Sequence, residues 1–512
     1  MRFQSKKSKN GKFRNGPVIY NLDCSEFFIG TFGPVVPETI DKWVDDHAAL
    51  GVTDLFINVN AQRANYRSGA WESDWDGYDH NRGKDQPFFA GIEPQRMFEA
   101  EWYINTYLLY KQGCDYPQRM VERCRRDRMR PWISIRMNDT HYPEQPDHPY
   151  HSTFWKSHPQ WRLSGGSNPA TMAAFGWGSG GLDYEQPEVR EHYLKLIKEV
   201  CARYDLDGLE LDYLRFWLYF RPGREHQGAI LMDEFVRQVR TVTNQAAKKL
   251  GHPVKLAVRV PSTPWIARRH GFEAVDWAKA GLVDLIIPSP FWPSIDSDVP
   301  IETWKGLLIG TNVPVAQVME SGLDSGGEYR TATPEEYRGA LLSGWDRGAD
   351  AVYFFNLFTG PYHRWPRKDH DQLVKDAGSC AALRAKSRRH PVTIKTPWAD
   401  GEPLKDKCLP FVGTHGVFRI HIGPKPSAKQ HARVELVTAD DNQRPDVRLN
   451  RILCPWSRLA EPEHVTASGW EGAEAKRQVY DVPAGALDDG YNLIEVNSEQ
   501  PVTLTWVEIS MQ

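Results

Sequence analysis

The stretch from Asp207 to Asp212 sets acidic side chains on alternate positions of an apolar segment, Asp-Gly-Leu-Glu-Leu-Asp. In a strand successive side chains point to opposite faces, so Leu209 and Leu211 go one way while Glu210 and Asp212 go the other. Two carboxylates on one face of a buried strand cost free energy unless they are paired or used, and such a pair is the simplest source of a general acid, base or nucleophile. Asp212, nearer the strand end, is the first candidate. Hydrolysis of a glycosidic bond needs a second carboxylate roughly 5 to 9.5 Å away. Glu320 ends another apolar run, Val315 to Glu320, but Gln317 and Glu320 cannot both face inward from one regular strand. Asp296 is therefore an alternative acid and Glu210 a third.

Strands must carry these groups to a common place, and the chain offers eight short apolar runs, at 18–24, 54–60, 131–138, 207–215, 255–261, 284–290, 313–320 and 351–358. Helical patterns alternate with them. At 187–204 Val189, Tyr193, Leu196, Ile197, Val200 and Tyr204 recur at helical spacing, and Thr333-Pro334-Glu335-Glu336 is a capping box that opens a helix ending near Gly348. Eight strand-helix units in succession predict an α/β fold, a (β/α)8 TIM barrel over 17–388, with its chemistry at the C-terminal ends of the strands. The connections 61–116 and 139–182 are far longer than usual and rich in Trp, Tyr, His and Asp. With Trp71, Trp75, Trp155, Trp161 and Trp177 they are expected either to wall a cleft or to pack over the rim. From 391 to 512 the text changes to short strands at 417–422, 432–437, 446–449, 478–481, 491–496 and 502–509. These predict an all-β sandwich of jelly-roll type, either a sugar-binding module or a structural cap.

If apolar residues face the helices, the opposite parity fills the barrel. It sends in Asn21 or Asp23, Asn58 and Asn60, Ser134, Arg136 and Asn138, Glu210 and Asp212, Arg259, and Asn356. A barrel interior is normally packed with branched apolar residues, so this polar concentration points to a site. Arg136 and Arg259 are expected either to neutralise Glu210 or to receive an acidic substituent of a sugar. Trp217 and Trp292, in the loops after the fourth and sixth strands, are candidate platforms for a sugar face, and His141 a candidate hydrogen-bonding group. His141, His148 and His151 with Asp139, Glu144 and Asp147 match no metal motif, so no metal and no cofactor is assigned.

Composition sets outer bounds. The chain has 512 residues with a net charge of -3, which gives no general attraction to nucleic acid or membranes. No apolar run reaches the roughly 18 residues that span a bilayer. Seven scattered cysteines without a C-x-x-C indicate neither a disulfide framework nor a zinc site. Residues 1–16 read as a basic disordered tail without the apolar core of a secretion signal, so the compartment stays open: cytoplasmic on a literal reading, secreted or periplasmic if the sequence is trimmed. The 12% aromatic content, with 19 Trp and 20 Tyr, suits both sugar stacking and a large core.

The segment from Asp207 to Phe216 resembles the fourth-strand signature D-G-[IL]-x-[FIL]-D-Y-[IL]-R-[YF] of the family 10 glycosylhydrolase-like barrels. That resemblance implies a carbohydrate-active barrel in which Asp212 acts in catalysis, with Tyr213 and Arg215 as supporting neighbours. The same stretch is similar to the family 18 chitinase signature D-G-x-D-x-D-x-E, with Asp207, Glu210 and Asp212 at acidic positions. Leu214 stands where those enzymes carry their catalytic glutamate, which argues against a substrate-assisted mechanism. The expectation is a glycoside hydrolase acting on an oligo- or polysaccharide. Its alternatives are a non-catalytic carbohydrate-binding barrel and a lyase or isomerase of sugar acids.

Overall fold

The computed structural model describes residues 16–23, 25–29, 35–163, 180–214, 216–290, 294–324, 329–358, 365–393, 408–427, 430–439, 443–460 and 477–512. Tail residues 1–15, Cys24, Trp177, Arg215 and Trp292 lie outside them. Gly16 does not belong to a tail. Its amide donates to Gly378 O at 3.1 Å, and a Cβ there would meet the Trp345 ring at 2.5 Å.

Eight parallel strands form the first sheet: β1 (Val18–Leu22), β2 (Asp54–Asn58), β3 (Arg130–Arg136), β4 (Gly208–Asp212), β5 (Lys255–Pro261), β6 (Leu285–Ser289), β7 (Ala316–Met319) and, after a short antiparallel hairpin of β8 (Gly322–Asp324) and β9 (Tyr329–Thr331), β10 (Ala351–Phe355). Their order is β6-β5-β4-β3-β2-β1-β10-β7, and a parallel bridge from Ile286 to Val315 joins the two ends. The sheet is therefore a closed barrel, with helices on its outer face. The helix Pro187–Arg203 buries Val189, Tyr193, Leu196, Ile197 and Val200 against it. The helix Pro334–Arg347 carries the capping box of Thr333 and Glu336 and stops at Gly348, whose φ of 102° suits glycine.

Side-chain parity divides the barrel into an outer and an inner core. Leu209, Leu211, Val258, Val260 and Met319 join the core between sheet and helices. Ile19, Phe56, Trp132, Ala257, Leu285, Ile287, Ala316, Val318, Ala351, Tyr353 and Phe355 form a separate apolar cluster inside the ring. At its floor the Trp132 ring stacks on Phe56 with centroids 4.7 Å apart, and its Nε1 donates to Asp54 Oδ1 at 3.1 Å. Gly208 pairs directly with Trp132. A Cβ at Gly208 would lie 2.2 Å from that ring, so the glycine is what lets the indole fill the floor.

From Arg388 onward the chain forms a second, antiparallel sheet: β11 (Arg388–Pro391), β12 (Phe411–His421), β13 (Ala432–Thr438), β14 (Asp446–Leu449), β15 (Ile452–Cys454), β16 (Trp456–Ala460), β17 (Arg477–Asp481) and β18 (Tyr491–Met511). β18 is one strand of 21 residues, where the sequence predicts two. Its first half pairs with β14 and its second half with β11 and β13, while β12 pairs with both. Residues of both halves, Ile494 and Val496 with Leu504 and Ile509, share one apolar core. No helix among the described residues is long and apolar enough to cross a membrane.

Replacing Gly208 by alanine is expected to destabilise the chain by at least about 1–3 kcal/mol through overpacking against Trp132. Urea melts of Gly208→Ala and the parent check this, and an unchanged midpoint would contradict the floor packing.

Candidate active site

Register brings the polar row together. Arg136 of β3 lies beside Asp212 of β4, which lies beside Arg259 of β5. One layer deeper, Ser134 lies beside Glu210. All five project into the ring at the C-terminal half of the strands, and all are buried.

Arg259 is the hub. Its Nη1 lies 3.3 and 3.4 Å from the two Asp212 oxygens, and its Nη2 lies 2.5 Å from Glu320 Oε1. Nε and Nη2 donate to Ser289 Oγ at 3.2 and 3.0 Å, while the guanidinium carbon sits 3.7 Å from the centre of the Phe355 ring. Burial opposes the charge on Arg259, but Asp212 and then Glu320 outweigh it, and its pKa is raised. Asp212 Oδ1 also accepts the Leu214 amide at 3.1 Å. Glu320 faces inward, because β7 sends Ala316 and Val318 into the ring. Gln317 points outward, donating to Ala340 O of the helix Pro334–Arg347 at 2.7 Å. The choice between Gln317 and Glu320, open in the sequence, falls to Glu320. Its backbone is pinned as well, since Tyr337 Oη donates to Glu320 O at 2.6 Å.

Glu210 has neutral partners. Asn21 Nδ2 reaches Oε2 at 3.1 Å and Tyr353 Oη donates to Oε1 at 2.7 Å. Burial first, then the charge of Asp212, pushes its pKa up to about 8. The expected neutralisation of Glu210 by Arg136 and Arg259 is thus incorrect. Arg259 serves Asp212 and Glu320, and Arg136 bonds Asp23 Oδ2 at 2.5 Å and Asp139 Oδ2 at 3.2 Å. Each arginine already faces two carboxylates, which removes the basis for expecting an acidic sugar substituent.

The remaining predicted residues separate into two groups. Asn356, at the end of β10, has φ 55°, a left-handed conformation that non-glycine residues seldom adopt. Its buried Oδ1 has no hydrogen-bond partner among the described residues. His141 is partly exposed beside the row, with Nδ1 2.6 Å from Asp139 Oδ1, and its ring meets Phe216 edge-on at 5.2 Å. Asn58, Asn60 and Asn138 instead brace the backbone. Asn58 Nδ2 donates to Ser134 O at 3.4 Å. Asn60 exchanges bonds with the Arg136 backbone at 3.0 and 3.1 Å. Asn138 donates to Leu182 O and Leu218 O and accepts from Leu182 N at 3.0, 2.8 and 2.8 Å. Trp217 is buried with Leu214 and Leu218, so it is no open platform. Asp296 accepts the Asp298 amide within its own turn at 2.7 Å.

The loop aromatics pack over the rim rather than lining an open wall. Trp71 stacks on His192 at 4.2 Å, Trp155 on His151 at 3.8 Å and Trp161 on His158 at 3.8 Å. Among the described residues no group of His, Cys, Asp and Glu is arranged to hold a metal. Tyr353, Phe355 and Ser289 complete the site without having been anticipated. They sit in the runs Ala-Val-Tyr-Phe-Phe and Leu-Ile-Ile-Pro-Ser, where no polar alternation marks the inward face.

No protein-family model and no curated protein matches the chain. Solved structures similar in outline include an α-amylase from Anoxybacillus (14% identity, 94% of this chain and 98% of that one, TM-score 0.39). Others are an α-amylase from Geobacillus thermoleovorans complexed with acarbose (11%, 94% and 99%, TM-score 0.38) and α-L-fucosidase isoenzyme 2 from Paenibacillus thiaminolyticus (12%, 74% and 49%, TM-score 0.39). At these scores the likeness is one of outline alone.

Glu210 gives the site a pH signature. The folded chain keeps this proton up to about pH 8, while an ordinary glutamate releases it near 4.5. Between those values the folded state binds more protons than the unfolded one, so this group lowers stability as pH rises through the window. The melting temperature of Glu210→Gln, measured relative to the parent, is expected to rise from pH 5 to pH 8. A constant difference would mean that Glu210 is ionised in the fold.

Proposed function

We propose that the chain is a glycoside hydrolase acting on a carbohydrate chain, with Asp212 and Glu320 as its carboxylate pair. The observation that carries this reading is the shared guanidinium. Two acids from strands on different sides of the ring, β4 and β7, meet at the mouth of one barrel, held there by Arg259. A stable barrel interior does not require them, since buried ion pairs are poor sources of stability compared with apolar packing.

In this reading Asp212 attacks the anomeric carbon or activates the water that does, and Glu320 protonates the leaving oxygen. The net reaction breaks the glycosidic C–O bond, joins the oxygen of water to the anomeric carbon and delivers a proton to the departing hydroxyl. Glu320 can carry that proton only by giving up its contact with Arg259. The guanidinium then keeps Ser289 and Asp212, so positive charge stays beside the nucleophile or base. Asn356 and His141 are the groups that would meet sugar hydroxyls, Asn356 through an acceptor that has no partner among the described residues.

The same guanidinium favours a second reading, a non-catalytic sugar-binding barrel whose acids are spent on pairing with Arg259. Substitution separates the two. Asp212→Asn and Glu320→Gln are each expected to lower turnover by about 10²–10⁴-fold with sugar binding retained, measured by reducing-sugar release and calorimetry. If the parent releases no reducing sugar from any glycan yet binds one, the hydrolase reading fails and the binder stands.

A further inference from the structure

The β domain has a face that its own core does not use. In β12, β18 and β14 the residues Phe418, Ile494 and Leu449 lie in register on the inner face and are buried in the domain core. The intervening positions form the outer face, and register sets one row across it. Val417 of β12 is opposite Glu495 of β18, Glu495 is opposite Arg448 of β14, and Arg448 is opposite Leu453 of β15. A sheet with one face on its core normally carries polar residues on the other. Here Val417 is 52% and Leu453 49% exposed, with Leu493 of the neighbouring row at 43%. The most exposed apolar residues of the barrel, Ile230, Trp265 and Ile309, instead sit on three separate segments, and such single residues need no explanation. At the end of the face nearer the barrel, Arg419 pairs with Asp298 and Tyr491 Oη donates to Glu302 Oε1 at 2.5 Å. The barrel covers that end and leaves the Val417 row open.

The row reads apolar, acidic, basic, apolar, which makes it complementary to itself. A two-fold axis running along the strands between β18 and β14 lays a second copy of the face on the first, each row opposite itself with its order reversed. Val417 then meets Leu453 of the second copy and Glu495 meets Arg448, each contact occurring twice, as an isologous interface requires. The next row agrees. Asn497 of β18 is opposite Asp446 of β14, so the same axis sets an amide against a carboxylate. Asn497 Oδ1 is engaged by His415 Nδ1 at 2.6 Å, and its Nδ2 is the atom that donates across the axis. Among the described residues Glu495 has no ion pair although Arg448 stands opposite it, and the Arg448 guanidinium turns to Arg451 O at 3.2 Å.

We infer that two copies of the chain associate through this face, with their outer sheets packed about that axis. The inference is independent of the hydrolase reading. Four strands at about 4.8 Å spacing make a face at the small end of specific interfaces, so association is expected in the micromolar range and weakens as salt screens the charges.

The test is sedimentation velocity of the full chain from about 1 to 100 µM, with Glu495→Arg, Arg448→Glu and Val417→Asp alongside the parent and thermal melts to establish that each variant is folded. The parent is expected to dimerise with concentration. Each charge reversal alone is expected to weaken the dimer at least about tenfold, because it sets like charges against each other twice. Mixing the two charge-reversed variants is expected to restore a dimer, now a mixed one, since opposite charges meet again at both contacts. Val417→Asp weakens it as well, without touching the charge pairs. A parent that stays monomeric at the top of the range overturns the inference and leaves the face to a partner of another kind. A parent dimer that survives both reversals also overturns it, placing the contact elsewhere, and reversed variants that stay apart when mixed overturn the two-fold pairing.

Discussion

One guanidinium, that of Arg259, is the point on which the site depends. It lies in a ring from which water is almost excluded, where an unpaired carboxylate or an unpaired cation would each be costly. By facing Asp212 and Glu320 together, with Ser289 and the Phe355 ring filling its other sides, it gives two buried acids a shared partner. Below it the pKa of Glu210 is pushed up to about 8, by burial first and then by the charge of Asp212. The polar interior is thus a graded stack. Apolar packing around Trp132 lies at the floor, Glu210 with its neutral partners stands above it, and the two acids gathered by Arg259 lie at the mouth.

The fold could be read because both of its periods are written plainly. Leu-Glu-Leu-Asp in β4 alternates strictly, so facing follows from the pleat, and the eight apolar runs alternate with helical patterns, one of which opens on a capping box. The facing of Glu320 could not be read, because Ala-Gln-Val-Met-Glu shows polar residues at both parities. The structure resolves it through the outer helix, where Gln317 finds Ala340 O and a Cβ on Gly344 would strike its amide. The same limit explains why the partners of the arginines were misjudged. Sequence gives the face of a residue on its own strand, but Arg259 chooses between Glu210 and Asp212 by register with β4, and it reaches Glu320 across the ring. Asparagines at strand ends were likewise ambiguous, since an amide can serve a ligand or a loop backbone equally well. Asn60 and Asn138 serve backbone, whereas the Asn356 Oδ1 has no partner among the described residues.

The C-terminal sheet bears on the same centre through a chain of contacts. The helix Pro334–Arg347 holds Glu320 by Tyr337, and that helix is gripped from its other side by the β domain. Gly339 lies so close to Arg389 O of β11 that a Cβ would sit 2.0 Å from it. Ser343 bonds His421 of β12 at 3.0 Å. Glu336, the residue that caps the helix, pairs with Arg330, whose guanidinium rests 4.6 Å from the Trp506 ring of β18. Arg389 in turn is anchored by Glu508. A barrel strand only four residues long, β7, has little backbone pairing of its own to fix the residue that follows it. The position of Glu320 is therefore set by a helix clamped between two sheets, which gives the second domain a physical reason to be present without any sugar bound to it.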